Sequence, residues 1–116
     1  MTIQRIDAGP RMSKVAIHGN TVYLAGITAA KTEGHSLAEQ STEILSVIDG
    51  FLAKAGTDKS KLLSATIYIT DMKTFGEMNA VWDAWVSPGN TPARATVEAK
   101  LAAPQYTVEI MVTAAK

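Results

Sequence analysis

The C-terminal quarter of the chain alternates between two kinds of side chain. Residues 93–98 place Ala, Ala and Val at every second position, with Arg94, Thr96 and a glutamate between them. Residues 106–112 repeat the pattern, with Tyr, Val, Ile and Val on one face and Glu109 on the other. A period of two residues is typical of a strand with one buried face. The sequence therefore predicts two strands here, each with one functional face.

The two predicted strands could pair as a hairpin across Lys100–Gln105. In that arrangement Thr96 lies near Glu109, and Arg94 shares a face with Glu109 at diagonal reach. A slip of one residue would place the two charged side chains on opposite faces instead. The shared face is therefore a hypothesis about register, which the alternation alone does not determine.

Upstream of these strands, the patterns predict four strands and two helices. Ser36 and Glu39 form a capping-box pattern that starts the first helix, and Asp71 or Thr70 starts the second. The predicted strands are Thr2–Ile6, Val15–His18, Thr21–Ala25 and Leu62–Ile69.

The resulting order β-β-β-α-β-α-β-β predicts an α+β fold with a mixed sheet. Two helices cover one face of such a sheet. The other face then needs either water or another subunit to cover it. The side chains that we expect on this uncovered face include Thr96, Glu98, Thr107, Glu109 and Met111.

Length and composition limit the number of domains, the partners and the kinds of site that the chain can have. A length of 116 residues suits a single domain, residues 1–116. Eleven basic and eleven acidic residues give no electrostatic reason to expect nucleic acid or an anionic membrane as partner. The absence of cysteine excludes disulfides and thiolate nucleophiles. Because no segment has the apolar core of a signal peptide or of a membrane span, we expect a cytoplasmic protein.

The C-terminal segment also carries a family resemblance. It reads Pro-Ala-Arg-Ala-x-Val around Arg94, followed by Leu, Pro and the triplet Val-Glu-Ile around Glu109. This pattern and its spacing resemble the signature of the RidA/YjgF family of reactive-intermediate deaminases, also labelled endoribonuclease L-PSP and translation initiation inhibitor. The resemblance extends over nearly the whole chain, including Gly9-Pro10 and the segment Val22–Gly26.

The resemblance implies a fold, an assembly and a reaction. The family has a chorismate-mutase-like fold, and its homotrimers pack three sheets around a shared axis with clefts between subunits. Its members hydrolyse small enamino and imino acids, such as 2-aminoacrylate and 2-iminopropanoate, to the 2-keto acid and ammonia. The reaction needs no metal or organic cofactor. The resemblance implies that Arg94 holds the substrate carboxylate and that Glu109 orients water.

The resemblance also implies substrate contacts for Thr96, Gly26 and Ile27. Arg11 follows Gly-Pro where many members have a site tyrosine, so we expect it to alter substrate preference. Asn90 is offset from an asparagine that the family has upstream of its Pro-Ala-Arg.

Each of these residues also has a purely structural interpretation. Arg94 could be a strand arginine in solvent or in an interface ion pair, and Glu109 could be its structural partner. Thr96 could be a strand filler, Gly26 a strand terminator, and Arg11 a solvent-facing side chain.

Two other functions are possible for a protein with this cleft and this family resemblance. The first is a non-catalytic protein that binds a small carboxylate metabolite. The second is a ribonuclease or translation inhibitor, as the family labels say. The balanced charge and the lack of a catalytic histidine pair make this second function less favoured.

Overall fold

The computed structural model describes residues 1–116. Six strands and two helices follow the order that the sequence predicts. Short 3₁₀ turns precede the fourth strand and the second helix. The elements are β1 (Ile3–Ala8), β2 (Ser13–His18), β3 (Thr21–Leu24), α1 (Leu37–Lys54), β4 (Leu62–Ile69), α2 (Phe75–Trp85), β5 (Ala93–Glu98) and β6 (Val108–Ala115).

The six strands form one mixed sheet in the spatial order β1-β2-β3-β6-β4-β5. Strands β1, β2 and β3 pair antiparallel with their neighbours, and β6 lies antiparallel between β3 and β4. Strand β5 pairs only with β4, and the pair is parallel. The predicted hairpin between β5 and β6 is therefore wrong.

The connection through α2 explains this arrangement. A helix between two strands allows the chain to return and pair in parallel, so β5 joins β4 at the edge of the sheet. The other edge of β4 is then available to β6, which reaches it through residues 99–107.

The ends of α1 follow the predicted capping pattern. The Ser36 hydroxyl accepts a hydrogen bond from the Glu39 N–H at 3.2 Å, which satisfies an exposed amide at the helix start. Beyond the helix, Gly56 has a φ of 81°, a left-handed conformation that glycine adopts without steric cost. Neither helix is both long and apolar enough to span a membrane.

Both helices pack on the same face of the sheet, as predicted. The interface between the helices and this face forms a core of 22 buried hydrophobic residues. Its largest fully buried side chains are Ile44, Ile48 and Leu52 of α1, Met78 of α2, and Ile67, Ile69 and Ile110 of the sheet.

The opposite face of the sheet has no helix over it. Tyr23, Val97 and Met111 lie on this open face, and each is at least 40% exposed. Glu109 lies on it too, because it pairs with Tyr68 and its neighbours along β6 are buried on the helix side. The predictions for Glu109 and Met111 are therefore confirmed.

Thr96 and Glu98 do not lie on the open face, contrary to prediction. In the parallel pair of β4 and β5, Thr96 is opposite Ile67 and Glu98 is opposite Ile69. Paired residues of adjacent strands point to the same face, and both isoleucines are fully buried under the helices. The functional side chains of β5 therefore lie on the helix side. Thr107 precedes β6, and its N–H donates to a side chain of α1.

Candidate active site

The side chain of Arg94 lies against two aromatic rings of α2. Its guanidinium carbon is 5.8 Å from the centre of the Phe75 ring and 5.5 Å from the centre of the Trp82 ring. A guanidinium within about 6 Å of an aromatic face is attracted by the π electrons of the ring. The rings therefore hold a half-buried cation that has no carboxylate partner, since the only ion pair of the chain joins His35 and Glu39.

Two buried polar atoms near this cation also lack partners. The hydroxyl of Thr96, two residues along the same face of β5, accepts and donates no hydrogen bond within the chain. The side-chain oxygen of Asn79 likewise accepts no hydrogen bond. Helical spacing places Asn79 between Phe75 and Trp82 along one face of α2. Buried polar atoms are nearly always hydrogen-bonded. Their lack of partners is typical of a surface that binds a polar ligand or another chain.

Asn79 was not among the residues that the sequence analysis singled out. The signal was its helical spacing, four residues after Phe75 and three before Trp82. Asn90, which is offset from the family's asparagine, stabilises a turn. Its side-chain amide donates to the Ser87 hydroxyl at 3.1 Å, and its N–H donates to the Ser87 carbonyl at 3.0 Å.

The carboxylate of Glu109 lies directly against Gly26. A Cβ atom placed on Gly26 would lie 3.0 Å from Cδ of Glu109 and even closer to Oε2, so any other residue at this position would require the Glu109 carboxylate to move. The φ angle of Gly26 is not in the left-handed region, so the constraint comes from the side chain of Glu109. The structure thus brings together two residues that were predicted from separate strands.

Ile27 joins the segment that follows β3 to β6. Its N–H donates to the Ile110 carbonyl at 2.9 Å, and the Ile110 N–H donates back at 3.1 Å. The side chain of Ile27 is buried in the core, so the residue can offer a ligand only its backbone. A cavity of about 240 Å³ adjoins Gly26 and Ile27; it is lined by Lys14, Gly26, Ile27, Thr28, Ala30, Glu43, Val47 and Phe51.

Arg94 and Glu109 lie on opposite faces of the sheet, so the prediction that they share a face is wrong. Strand β4 separates their two strands. Adjacent strands are about 4.8 Å apart, which separates the strand axes by roughly 10 Å. One chain therefore cannot apply both side chains to a substrate of a few atoms, and Glu109 is not a structural partner of Arg94 in its own chain.

Arg11 is exposed in the turn between β1 and β2. A hydrogen bond of 2.8 Å from the Gly9 N–H to the Met12 carbonyl closes this turn. Strands β1 and β2 lie at the opposite edge of the sheet from β5, so Arg11 and Arg94 are far apart within one chain. The effect of Arg11 on substrate preference stays a prediction.

The loop between β3 and α1 borders the Glu109 end of the sheet, and a carboxylate fixes it. Glu43 accepts hydrogen bonds from the Thr32 hydroxyl at 2.7 Å and from the Thr32 and Lys31 N–H groups at 2.8 and 3.1 Å. Partial burial raises the pKa of Glu43, but these hydrogen bonds outweigh it and lower the pKa below its ordinary value.

A second contact joins this loop to the segment before β6. The Tyr106 hydroxyl donates to the Glu33 carboxylate at 2.8 Å. This hydrogen bond, followed by desolvation, raises the pKa of Tyr106. Tyr106 therefore serves as a neutral hydrogen-bond donor between two loops.

Comparison with known proteins identifies the family of the chain. The family model described as Endoribonuclease L-PSP matches residues 2–116. A RutC family protein from Haemophilus influenzae is 47% identical over 114 residues, 98% of each chain. The RutC family protein YoaB from Escherichia coli is 46% identical over 115 residues, 99% of each chain.

A solved structure gives the same result for the fold. The crystal structure of a YjgF-family protein from Neisseria meningitidis superposes with a TM-score of 0.96 at 45% sequence identity. The match covers 100% of this chain and 96% of that one. The chain therefore belongs to the family of endoribonuclease L-PSP, YjgF and RutC proteins.

Proposed function

We propose that this protein hydrolyses small imino and enamino acids to 2-keto acids and ammonia, with 2-iminopropanoate and its tautomer 2-aminoacrylate as representative substrates. Family membership supports a reaction of this kind without fixing it. The observation that carries the proposal is the state of Arg94: its guanidinium is half-buried and held on two rings, yet it has no anionic partner in the chain.

A guanidinium in this state is suited to a carboxylate. Its planar fork donates two parallel hydrogen bonds to the two oxygens of one carboxylate group. The rings of Phe75 and Trp82 restrict its orientation, so less side-chain entropy is lost when the anion binds. The neighbouring unpartnered groups of Thr96 and Asn79 offer further hydrogen bonds to a small polar substrate.

In the proposed reaction, Glu109 supplies the proton transfers. Water adds to the electrophilic imine carbon while the carboxylate of Glu109 takes a proton from it. The proton then passes to the nitrogen, which gives an amino alcohol. Glu109 next moves the hydroxyl proton to the nitrogen as the C–N bond breaks, so that ammonia leaves and the carbon keeps the water oxygen as the keto group. For an enamine, a proton must first be added at the terminal carbon to give the imine. The imine carbon is electrophilic by itself, so the proposed steps use only this chain's residues and water.

The positions of the two residues support a site made by two copies of the chain. Arg94 is on an edge strand whose outer edge has no partner, and Glu109 is on the sheet face that no helix covers. A neighbouring copy that packs on the open face could bring its own Arg94 to Glu109. We therefore propose a homotrimer with a substrate cleft at each subunit boundary.

The assembly has its own test. Sedimentation equilibrium should give about three times the chain mass of 12.3 kDa at micromolar concentration. A well-folded monomer under these conditions would remove the shared cleft and would contradict the proposal.

The reaction is tested by product release. Amino-acid oxidases generate a panel of imino acids in place, and the purified protein should accelerate release of ammonia and of the matching keto acid above the spontaneous rate. If the protein binds pyruvate but accelerates none of the imines, it is a carboxylate-binding protein and the proposed activity is wrong.

A further inference from the structure

The side chain of Gln40 is fully buried and uses all of its principal hydrogen-bonding groups. It lies in the first turn of α1, and its exposed fraction is 0%. Its amide nitrogen donates to the carbonyls of His35 and Gln105, both at 3.0 Å. Its amide oxygen accepts from the N–H of Thr107 at 3.0 Å. One side chain thus binds the helix start and the segment before β6.

These contacts belong to a larger connection between two loops. The carbonyl of Gln105 also accepts from the Gly34 N–H at 3.0 Å, and the Thr107 carbonyl accepts from the Thr70 N–H at 3.1 Å. The loop before α1 and the segment before β6 are therefore held together through backbone groups of both. Only Gln40 contacts both loops from the core, because the Tyr106–Glu33 hydrogen bond lies on the surface.

The backbone that Gln40 holds leads directly to the proposed catalytic carboxylate. Thr107 is two residues before Glu109, and the first pairs of β6 begin at Val108. A misplaced Thr107 would shift the start of β6 and, with it, the approach of Glu109 to Gly26. The fit there is tight, since a Cβ on Gly26 would require the Glu109 carboxylate to move.

We propose that Gln40 is a positioning residue that sets the placement of the Glu109 carboxylate through the backbone at Thr107. Removing the amide leaves the Thr107 N–H and the two carbonyls without this partner, so a purely structural role also predicts a loss of stability. Only a positioning role predicts a loss of catalytic rate as well, because a misplacement of about 1 Å can cost a hundredfold in rate. The inference rests on the proposed function for its kinetic test only.

The variant Gln40→Met keeps the length of the side chain and removes its polar atoms. We expect kcat for imine hydrolysis to fall about tenfold to a hundredfold, while KM changes less than about threefold because Arg94 is elsewhere. The variant Gln40→Glu keeps an acceptor for Thr107 and has at most one proton to donate, where the amide donates to two carbonyls. Its kcat should lie between those of the wild type and Gln40→Met, and it serves if Gln40→Met does not fold.

Thr57→Val is the matched control. Thr57 is also buried, and its hydroxyl donates to the Ala115 carbonyl at 2.6 Å, at the other end of β6. This variant removes one buried hydrogen bond to the same strand, so it should also lower the melting temperature, though by less than Gln40→Met, which removes three. Its kcat should remain within about twofold of the wild type, because the lost contact is remote from Glu109.

A spectroscopic measurement does not depend on activity. With ¹³C-labelled glutamate, the carboxyl signal of Glu109, identified by its loss in Glu109→Gln, should shift in Gln40→Met and not in Thr57→Val. If the Gln40 variants leave this signal unchanged, or lose no more kcat than Thr57→Val, the inference is wrong. If the wild type hydrolyses no imine, the proposed function fails, while the carboxyl signal still decides the role of Gln40.

Discussion

At the scale of single residues, Arg94 and Glu109 differ in what their surroundings allow them to do. Arg94 is held by aromatic rings on the helix side, whereas Glu109 lies against a glycine on the open side. The aromatic rings orient the hydrogen-bond donors of the Arg94 guanidinium. Because Gly26 has no side chain, the Glu109 carboxylate can lie directly against the backbone. The two residues should therefore have separable effects, one on binding and one on turnover.

The substitution Arg94→Lys should weaken substrate binding although it keeps the charge. Lysine offers a point charge without a planar fork, and it stacks less well on aromatic rings. A hydrogen bond to a charged group is worth about 1.5–3 kcal/mol, so kcat/KM should fall about tenfold to a few hundredfold. Steady-state kinetics and pyruvate titration would measure the loss.

Arg5→Lys is the matched control for Arg94→Lys. Arg5 is an exposed strand arginine in β1, at the other edge of the sheet. Its replacement should leave kcat/KM within about twofold. An equal effect of the two substitutions would mean that Arg94 does not bind the substrate carboxylate.

The substitution Glu109→Gln should act on turnover instead. Glutamine keeps the shape and an acceptor but cannot exchange a proton, so kcat should fall about a hundredfold or more. Affinity for pyruvate should stay within about threefold, because the carboxylate contact is made by Arg94. If Glu109→Gln keeps full turnover and only lowers the melting temperature, the carboxylate is structural.

The residue types of the candidate site were predictable, but their faces were not. Arg94 and Glu109 stood out because of their setting in the C-terminal pattern. Alternation separates the two faces of a strand without telling which face meets the helices. Arg94 can lie on the helix side because its guanidinium packs on the rings of Phe75 and Trp82. As a consequence of the alternation, Ala93 and Ala95 lie exposed on the open side.

At the scale of elements, the presence and order of the helices and strands were predictable from local signals, whereas the start of α2 and one strand pairing were not. Asp71 caps the 3₁₀ turn Met72–Thr74, and α2 begins only at Phe75, so the predicted start at Asp71 or Thr70 is wrong. Strand β5 begins and ends as predicted, at Ala93 and Glu98, and so does β4, at Leu62 and Ile69. The hairpin prediction was wrong because the pairing of strands depends on the connections of the whole chain and not on local alternation. The passage from β4 through α2 to β5 was the available signal for a parallel pair.

The turn from β3 into the loop before α1 gives a prediction at this scale. Gly26→Ala places a methyl group against the Glu109 carboxylate, which must move. Because the moving atoms are at the end of a flexible side chain, the melting temperature should change little. The kcat should nevertheless fall about a hundredfold, since the carboxylate leaves its position.

Gly50→Ala is the control for this substitution. Gly50 lies in α1, and a Cβ there would meet nothing within 4 Å. Alanine should stabilise the helix by about 0.5–1 kcal/mol and leave kcat unchanged. If Gly26→Ala retains full kcat, the approach of Glu109 to Gly26 has no role in turnover.

The hydrogen bonds from the loop before α1 to the Glu43 carboxylate should weaken at low pH, when the carboxylate is protonated. The lowered pKa of Glu43 means that its carboxylate stabilises the fold above the ordinary carboxyl pKa. This contribution disappears as the pH falls through the lower pKa of the folded state. The wild type should therefore melt at a higher temperature than Glu43→Gln at about pH 7, and the difference should shrink toward pH 3.

Asp83→Asn is the control for this pH dependence. Asp83 is an exposed carboxylate of α2 without a hydrogen bond to a loop. Its removal should give a melting difference near zero throughout the pH range. A difference between wild type and Glu43→Gln that stays constant with pH would show that ionisation of Glu43 does not anchor the loop.

At the scale of the whole molecule, the two faces of the sheet are the reason that we propose a site shared between two copies of the chain. The helices bury one face, and the other presents Tyr23, Val97 and Met111 to the outside. The proposed carboxylate-binding and proton-transfer groups are separated by the sheet itself. Sequence patterns predicted the uncovered face, and the family resemblance implied clefts between subunits. The observed strand order gives the physical reason to propose that Arg94 and Glu109 of one site come from different copies.

The most direct test mixes two defective variants of the whole chain. Arg94→Ala and Glu109→Gln are each expected to be nearly inactive, and they are unfolded and refolded together in equal amounts. If each site takes Arg94 from one copy and Glu109 from the next, random mixing restores both groups at about a quarter of the sites. We predict about a quarter of the wild-type rate of ammonia release from 2-iminopropanoate. A mixture that is no more active than the two variants alone would contradict the shared site.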